Sequence, residues 1–557
     1  LYEQIAQLHL ERENYDRAAQ ALMQAVQLGG KTGPLMLSLG LARYQLADIE
    51  GALEAFHEAG QFAPQKKLAA DWVKYLESGQ AREQALAAAA QAQRREAENI
   101  ALSGRLLGGG VRIAEMEAGA ASGAESGVSV GAAGRSSGEL TPVGAERDGN
   151  AAGTIPPWTG GLTPSQWPAA FKKGQRLVDP YPTDKPIFTI TGANLAEHRR
   201  QLSVGHQELL KRYPSYRLPV YATRRAVAYP QAIYDATQAN LGRAKLIGSD
   251  ALDGARLGFP FPKPESGVEI MWNHRVRYRG NTVEAQSKQV VMGADGKETL
   301  RVRLNERAYF RYGNVADPVD IGTQNILLYY LLRFTGVSVN NFVALVHETA
   351  NSEKDARAIW AGPPGTGKLF RIPPIGYDQP FPATDGMYFL DMIDMYNGAF
   401  DRYVWKLVGK REMILPYNGY RLSDGSRTYD SLLTPKHLNP EAARYELHRV
   451  WVIEASERGG KKHSFGLRVF YVDEDSWNVV LVENYDRQNQ LWRFQEGHLL
   501  PLYDAQAANS IPVVTYDLLD DRYFASRLVA EEPATLYDVP MRKGDFLAAT
   551  VQQRYLR

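Results

Sequence analysis

Cysteine is absent from the 557 residues, which excludes disulfides, thiolate metal ligands and cysteine nucleophiles together. Charge of one sign is not in surplus either: 64 basic residues face 63 acidic ones, a net charge of +1. Nothing at whole-chain level therefore points to nucleic acid or an anionic membrane as a partner. Long apolar runs are also lacking. The longest strongly apolar one, Ile326 to Leu332, falls far short of the roughly 20 residues that cross a bilayer as a helix. No basic-then-apolar leader follows Leu1, and without a methionine there the chain reads as a fragment or a processed form.

Several chemical signatures are missing too. No two histidines have the spacing of a zinc-binding helix, His347-Glu348 lacking its second histidine, and no serine sits in a nucleophile elbow. His274 and His448 have no visible base or nucleophile partner, so a structural role is the expectation for both. Asp473-Glu474-Asp475 lacks the glycine and the distal glutamate of a calcium loop and reads as a solvated hairpin turn. Gly362 to Lys368 matches a phosphate-binding loop as far as its lysine. Leu369 then stands where a hydroxyl should hold Mg²⁺, and Pro373 and Pro374 forbid the helix that would aim backbone amides at phosphate. A turn of a β-hairpin explains the same letters. The sequence thus supplies no catalytic, metal or nucleotide residues and implies no cofactor.

What is present divides into three regions, within a length that suggests roughly three or four domains. In residues 1–100 a shift of 34 positions superposes Ala18, Leu22 and Ala25 on Ala52, Phe56 and Ala59, a spacing that resembles the tetratricopeptide helical repeat. Residues 66–98 continue as an alanine-rich helix in which Leu68, Trp72 and Tyr75 are placed to cap the stack. Residues 101–153 are rich in Gly, Ala and Ser and read as a disordered linker. Residues 154–557 are rich in aromatics and proline, with strand-like runs concentrated in the later half.

Within that part, residues 445–498 hold four strand-like runs, Leu447–Glu454, Phe465–Val472, Asn478–Tyr485 and Leu491–Glu496, joined only by turn chemistry. Connections so short cannot make a parallel crossover, so the runs form an antiparallel meander. Arg468, Phe470 and Val472 fall on one face, Leu467, Val469 and Tyr471 on the other. Both faces carry apolar groups. The second face is therefore covered by helices or curls about an apolar interior, and the pattern leaves a filled core and a cavity both open. Trp405, Trp451, Phe470, Trp492 and Phe494 lie on separate strand-like segments and are the candidates to line such an interior.

Leu140 to Glu146, Gly153-Thr154-Ile155-Pro156, Phe259 to Pro262, Trp272-Asn273-His274, Asp401-Arg402-Tyr403, Arg444 to Trp451 and Phe470 to Trp477 occur in order along residues 139–557. Together they resemble the bacterial family of domain of unknown function number 1329, which is similar to periplasmic lipoprotein carriers of the LolA and LolB type. The resemblance implies an α+β fold: a half-open antiparallel β-barrel with covering helices, here preceded by the all-α repeat region. It further implies a periplasmic or outer-membrane setting, an apolar cavity for a lipid-like ligand, and a non-enzymatic carrier or transporter accessory. Family members usually carry a secretory signal just before the segment matched by Leu140 to Glu146, where this chain has the linker and the repeats. Residues 1–100 would dock a protein partner, such as an envelope transporter. The rivals are an envelope scaffold whose barrel is filled by its own side chains and, ranked lower, an envelope hydrolase.

Overall fold

The computed structural model describes residues 2–77 and 139–556, apart from residues 12–13, 47, 64, 67–68, 71, 75, 323–324, 337–338, 352–356, 363–367, 373–377 and 460–462. Of the expected linker at 101–153, residues 101–138 lie outside the described residues, as do Leu68, Tyr75 and positions 78–98 of the expected capping helix. Two compact units separate, residues 22–135 and the remainder. Among the described residues no helix is long and apolar enough to cross a membrane.

The amino-terminal helices are α1 (Tyr2–Glu11), α2 (Tyr15–Gly29), α3 (Gly33–Gln45) and α4 (Ile49–Gly60). Local chemistry sets the last two. Thr32 caps α3, with proline in its first turn, and the Asp48 carboxylate accepts from Gly51 N–H at 2.9 Å to start α4. The equivalent positions Ala18 and Leu22 on α2 and Ala52 and Phe56 on α4 are all buried. Trp72 stacks on Phe56 with ring centroids 5.1 Å apart.

The larger unit is built on one sheet. Its first strands are β1 (Phe188–Ile190) and β2 (Leu218–Tyr221), followed by a separate small hairpin, β3 (Lys245–Ile247) and β4 (Ala251–Asp253). There follow β5 (Thr282–Met292), β6 (Glu298–Phe310), β7 (Ile326–Gly336), β8 (Val339–Thr349), β9 (Ala358–Gly362), β10 (Phe370–Ile372) and β11 (Tyr403–Pro416). The later strands are β12 (Tyr445–Glu457), β13 (Leu467–Asp473), β14 (Val479–Tyr485), β15 (Leu491–Leu502), β16 (Ala507–Asp517), β17 (Arg522–Leu528) and β18 (Leu536–Tyr537). The order is β1-β2-β12-β13-β14-β15-β16-β17-β5-β6-β7-β8-β9-β10, with β11 also on β12 and β18 on β5. Every pairing is antiparallel except a short one between β2 and β12. The ladder has two ends, so the sheet does not close, and the fold is α+β.

The meander read from the sequence is β12 to β15, and its turns have identifiable causes. At 486–490 the Asp486 carboxylate accepts from the N–H groups of Gln488 and Gln490, and Asn489 takes the left-handed conformation. The turn at 473–477 differs from its expected character. Asp473, Glu474 and Asp475 are buried, not solvated, because the amino-terminal segment of the folded part lies over them. Glu146 N–H reaches Glu474, and the indole N–H of Trp477 donates to Val143 O at 3.0 Å. Residues 139–153, compositionally part of the linker, are accordingly packed structure. Small side chains made them look disordered, yet Val143 and Ala145 are buried and Gly144, at φ +94°, brings its backbone against Pro262.

Three helices matter for the surroundings of the sheet: α5 (Val204–Arg212), α6 (Gly267–Val276) and α7 (Ala548–Tyr555). The Ser203 hydroxyl caps α5, and Ser266 with Glu269 forms a reciprocal capping box on α6. Around α7, Phe546, Val551 and Leu556 form an apolar cluster with Tyr329 and Leu331 of β7 and Val343 and Leu345 of β8. β9 and β10 pair antiparallel on either side of the phosphate-loop look-alike, so a strand follows Lys368 where a helix would be required; residues 363–367 themselves lie outside the described residues.

Candidate functional site

One row of directly opposed residues runs Phe470, Val482, Gln495, Thr515, Phe524, Val291, Leu300 from β13 to β6, marking a continuous face. Across this face lies an irregular strap, residues 378–402. Pro380 and Pro382 limit its pairing to one isolated antiparallel bridge, Pro380 with Phe389, and short 3₁₀ turns form at Leu390–Met395 and Phe400–Arg402. Three of its backbone carbonyls are met by sheet side chains. Gln289 donates to Ala383 O at 2.8 Å, Arg493 to Gly386 O at 2.8 Å and Gln495 to Met392 O at 3.3 Å. Ala383, Asp385, Asp394 and Met395 all have positive φ. Such non-glycine conformations cost about 1–3 kcal/mol each and persist only where the surroundings enforce them.

The strap sits with its apolar side chains inward. Phe389, Met392, Tyr396 and Phe400 are buried. Tyr396 lies 5.3 Å from both Trp405 and Phe470, and Phe400 lies 5.5 Å from Trp405. Further along, Phe389 packs 6.1 Å from Trp492, Tyr388 5.1 Å from Phe524, and Phe381 5.7 Å from Phe334. Of the five aromatics expected to share an interior, Trp405 and Phe470 are thus brought together, 5.5 Å apart, and Trp492 bears on the same strap. Trp451 stacks on Trp477 with Lys410 over its ring. Phe494 packs against His206 of α5 and Tyr516.

Two strap carboxylates sit among cations, Asp391 buried and Asp394 half-buried. Asp391 pairs with the fully buried Arg468, and His463 Nε2 is 3.1 Å away. Burial works against its ionisation, but the Arg468 charge and the contact with His463 outweigh that and hold its pKa below the usual range. Asp394 meets Arg277 at 2.6 Å, Arg279 at 2.8 Å and Arg527 at 3.5 Å, and here too the arginines overcome burial and lower the carboxyl. Burial, with only partial relief from Asp394, brings Arg279 down to about 10. Beside them His274 of α6 is buried, and desolvation together with Arg277 lowers its pKa to about 3, so the ring is neutral.

A second polar network was not foreseen as a site. Glu496 accepts from Tyr445 OH at 2.6 Å and His206 Nε2 at 3.0 Å, with Tyr216 and Tyr516 at 3.4 and 3.3 Å. Burial opposes its charge, yet His498, His206 and Tyr445 lower its pKa to about 2. The clue was available: carboxylates and imidazoles alternate two residues apart at Glu446 and His448 in β12 and at Glu496 and His498 in β15. A cavity of about 150 Å³ opens elsewhere, beside Glu284, Gln286, Asn305, Arg307, Arg333 and Tyr555. That lining is polar and includes none of the five aromatics.

Residues 189–556 match the model of a family described as protein of unknown function (DUF1329). The uncharacterized protein PA3922 of Pseudomonas aeruginosa is 37% identical over 422 residues, 75% of this chain and 92% of that protein. A solved DUF1329 family protein from Desulfovibrio piger is similar over 51% of this chain and 95% of its own, at 14% identity and a TM-score of 0.34. A LolA superfamily protein from Nitrosomonas europaea covers 51% of this chain and 98% of its own, at 9% identity and a TM-score of 0.31.

Proposed function

The chain belongs to the DUF1329 family, and on that premise we propose that it is a non-enzymatic carrier or transporter accessory of the periplasm or outer membrane, binding an acyl chain on the face now covered by the strap. The observation that carries this reading is the strap itself. It lays Phe389, Met392, Tyr396 and Phe400 along one sheet face in a backbone conformation held at four left-handed non-glycine residues. Such a segment stands where an apolar ligand would lie, and its stored strain of about 1–3 kcal/mol per left-handed residue favours exchange. Each acyl CH₂ that replaced it would contribute about 0.8 kcal/mol. Trp405, Phe470 and Trp492 are the side chains the ligand would meet first. Trp451 and Phe494 belong to the same proposed lining only where the ligand extends past the strap. The helices of residues 1–100 serve as the docking module for a protein partner, supported by the exposure of Met23, Leu28 and Leu46.

One observation favours the scaffold reading. The strap is buried along most of its length and anchored through Asp391 and Asp394, as expected of a permanent core. Native mass spectrometry of the protein from an envelope fraction, with uptake of a hydrophobic fluorescent probe, separates the two. The carrier retains acyl lipid, and Asp391→Asn, which loosens the strap, raises probe uptake. Absence of lipid together with no uptake by either form leaves the scaffold.

A further inference from the structure

We propose that His448, Asp473 and Asp475 form a binding site for one divalent cation of the zinc or manganese class, pinning β12 to the β13–β14 turn. One ligand atom of each residue lies within 4.8 Å of the others, and all three side chains are buried. A shared ion at about 2.0–2.2 Å from each would draw these atoms closer together, to about 3.4 Å apart in tetrahedral geometry.

The second observation is an orphaned oxygen. Asp473 is fully buried, and its Oδ2 is saturated by Ser476 N–H at 2.9 Å, Ser476 Oγ at 2.5 Å and Tyr417 OH at 3.3 Å. Its Oδ1 has no partner. A buried acceptor without a donor costs about 1–3 kcal/mol, more when charged, so a bound cation is the economical explanation.

Charge counting leads to the same residue. Arg225 forks onto Asp475 at 2.6 and 2.9 Å, Lys410 bridges Glu474 and Glu146, and Arg449 approaches both of these glutamates. Of the four carboxylates Glu146, Asp473, Glu474 and Asp475, Asp473 alone has no lysine or arginine partner among the described residues. Asp475 keeps spare lone pairs, since each carboxylate oxygen has two.

His448 is prepared as a ligand would be. Its ring stacks on Tyr417 with centroids 3.7 Å apart, and Nε2 meets Glu446 Oε2 at 3.1 Å. Glu446 is fixed in turn by Arg444 at 2.6 Å and Asn418 at 2.9 Å. A carboxylate on one ring nitrogen orients the other toward a metal. Imidazole with two carboxylates selects a borderline transition cation, whereas calcium takes oxygen alone.

The test uses the full chain, stripped with chelator in mild denaturant and refolded with or without ZnCl₂ or MnCl₂. After gel filtration, elemental analysis is expected to find close to one ion per chain, with the urea midpoint of unfolding raised by the metal. Both effects vanish in Asp473→Asn and in His448→Gln, each checked for native near-UV circular dichroism without metal. Should one variant fail to fold, the other decides. Metal content at background, or retention that survives both substitutions, overturns the site.

Discussion

His274 Nε2 lies 2.9 Å from the carbonyl oxygen of Asp394, while its Nδ1 accepts from Val479 N–H at 3.1 Å. One neutral imidazole, with its proton on Nε2, thereby joins α6, the strap and the first residue of β14. A second proton, on Nδ1, would cost the ring its bond from Val479 N–H and leave Nδ1 to donate to the more distant Trp477 carbonyl oxygen at 3.3 Å, beside Arg277.

Acid should therefore loosen the strap. The folded pKa of His274 is about 3, against 6.5 for the ordinary group. Above about pH 6.5 both states are neutral and the stabilisation is complete; below it only the unfolded chain takes the proton, so stability falls until about pH 3. The loss is on the order of a few kcal/mol. Urea unfolding between pH 7 and pH 4 should show that decline, and His274→Gln should flatten it; an equal slope in both proteins would refute the assignment.

Removing one member of the Asp391–Arg468 pair strands a charge with no access to water. Asp391→Asn should cost about 3–5 kcal/mol, seen as a lower denaturation midpoint. The double variant Asp391→Asn with Arg468→Met should recover much of it, because no unpaired cation remains. If the single and double variants were equally unstable, the pair would not be what holds the strap.

A β-carbon at Gly144 would lie 1.8 Å from Pro262 O, at a φ of +94°. Gly144→Ala should destabilise the larger unit by at least about 2 kcal/mol. In a truly disordered linker the same change would do nothing, so thermal melting tests whether the folded part begins before residue 153.

Gly40 poses a contest of signs. Glycine to alanine inside a helix normally gains about 1 kcal/mol, but here the new carbon would meet the fully buried Phe56 ring at 2.6 Å. Overpacking costs about 1–3 kcal/mol and should win. Faster amide exchange in α3 and α4 of Gly40→Ala is the expected readout, and slower exchange would mean that Phe56 can yield.

Phe470→Asp should abolish probe uptake, since Phe470 faces the strap. Trp451→Asp should leave uptake largely intact, because Trp451 stacks on Trp477 instead. Equal effects, in variants shown to be folded, would place the ligand elsewhere.

The antiparallel meander was legible because its determinants are local. Alternating apolar residues and the turns at Asp473–Ser476 and Asp486–Asn489 specify strand and reversal without any distant contact. The order of motifs along residues 139–557 likewise pointed to the family, and glycine-proline chemistry around Gly362 suggested a hairpin that the strands on either side accommodate. The helical positions Ala18, Leu22, Ala52 and Phe56 could be read from their spacing, and each is buried.

Other features depended on which segments meet. That Asp473 to Asp475 lie in the interior follows from residues 139–147 lying across them, more than three hundred positions away in sequence. The five aromatics were indistinguishable as strand residues, and only the strap separates Trp405, Phe470 and Trp492 from Trp451 and Phe494. Sequence alone determined the antiparallel strands and the apolar character of both faces, since periodicity and turn residues act over a few positions. What covers each face, and which buried charges find partners, was decided by tertiary structure, because burial and pairing are set by groups that the chain brings together only on folding.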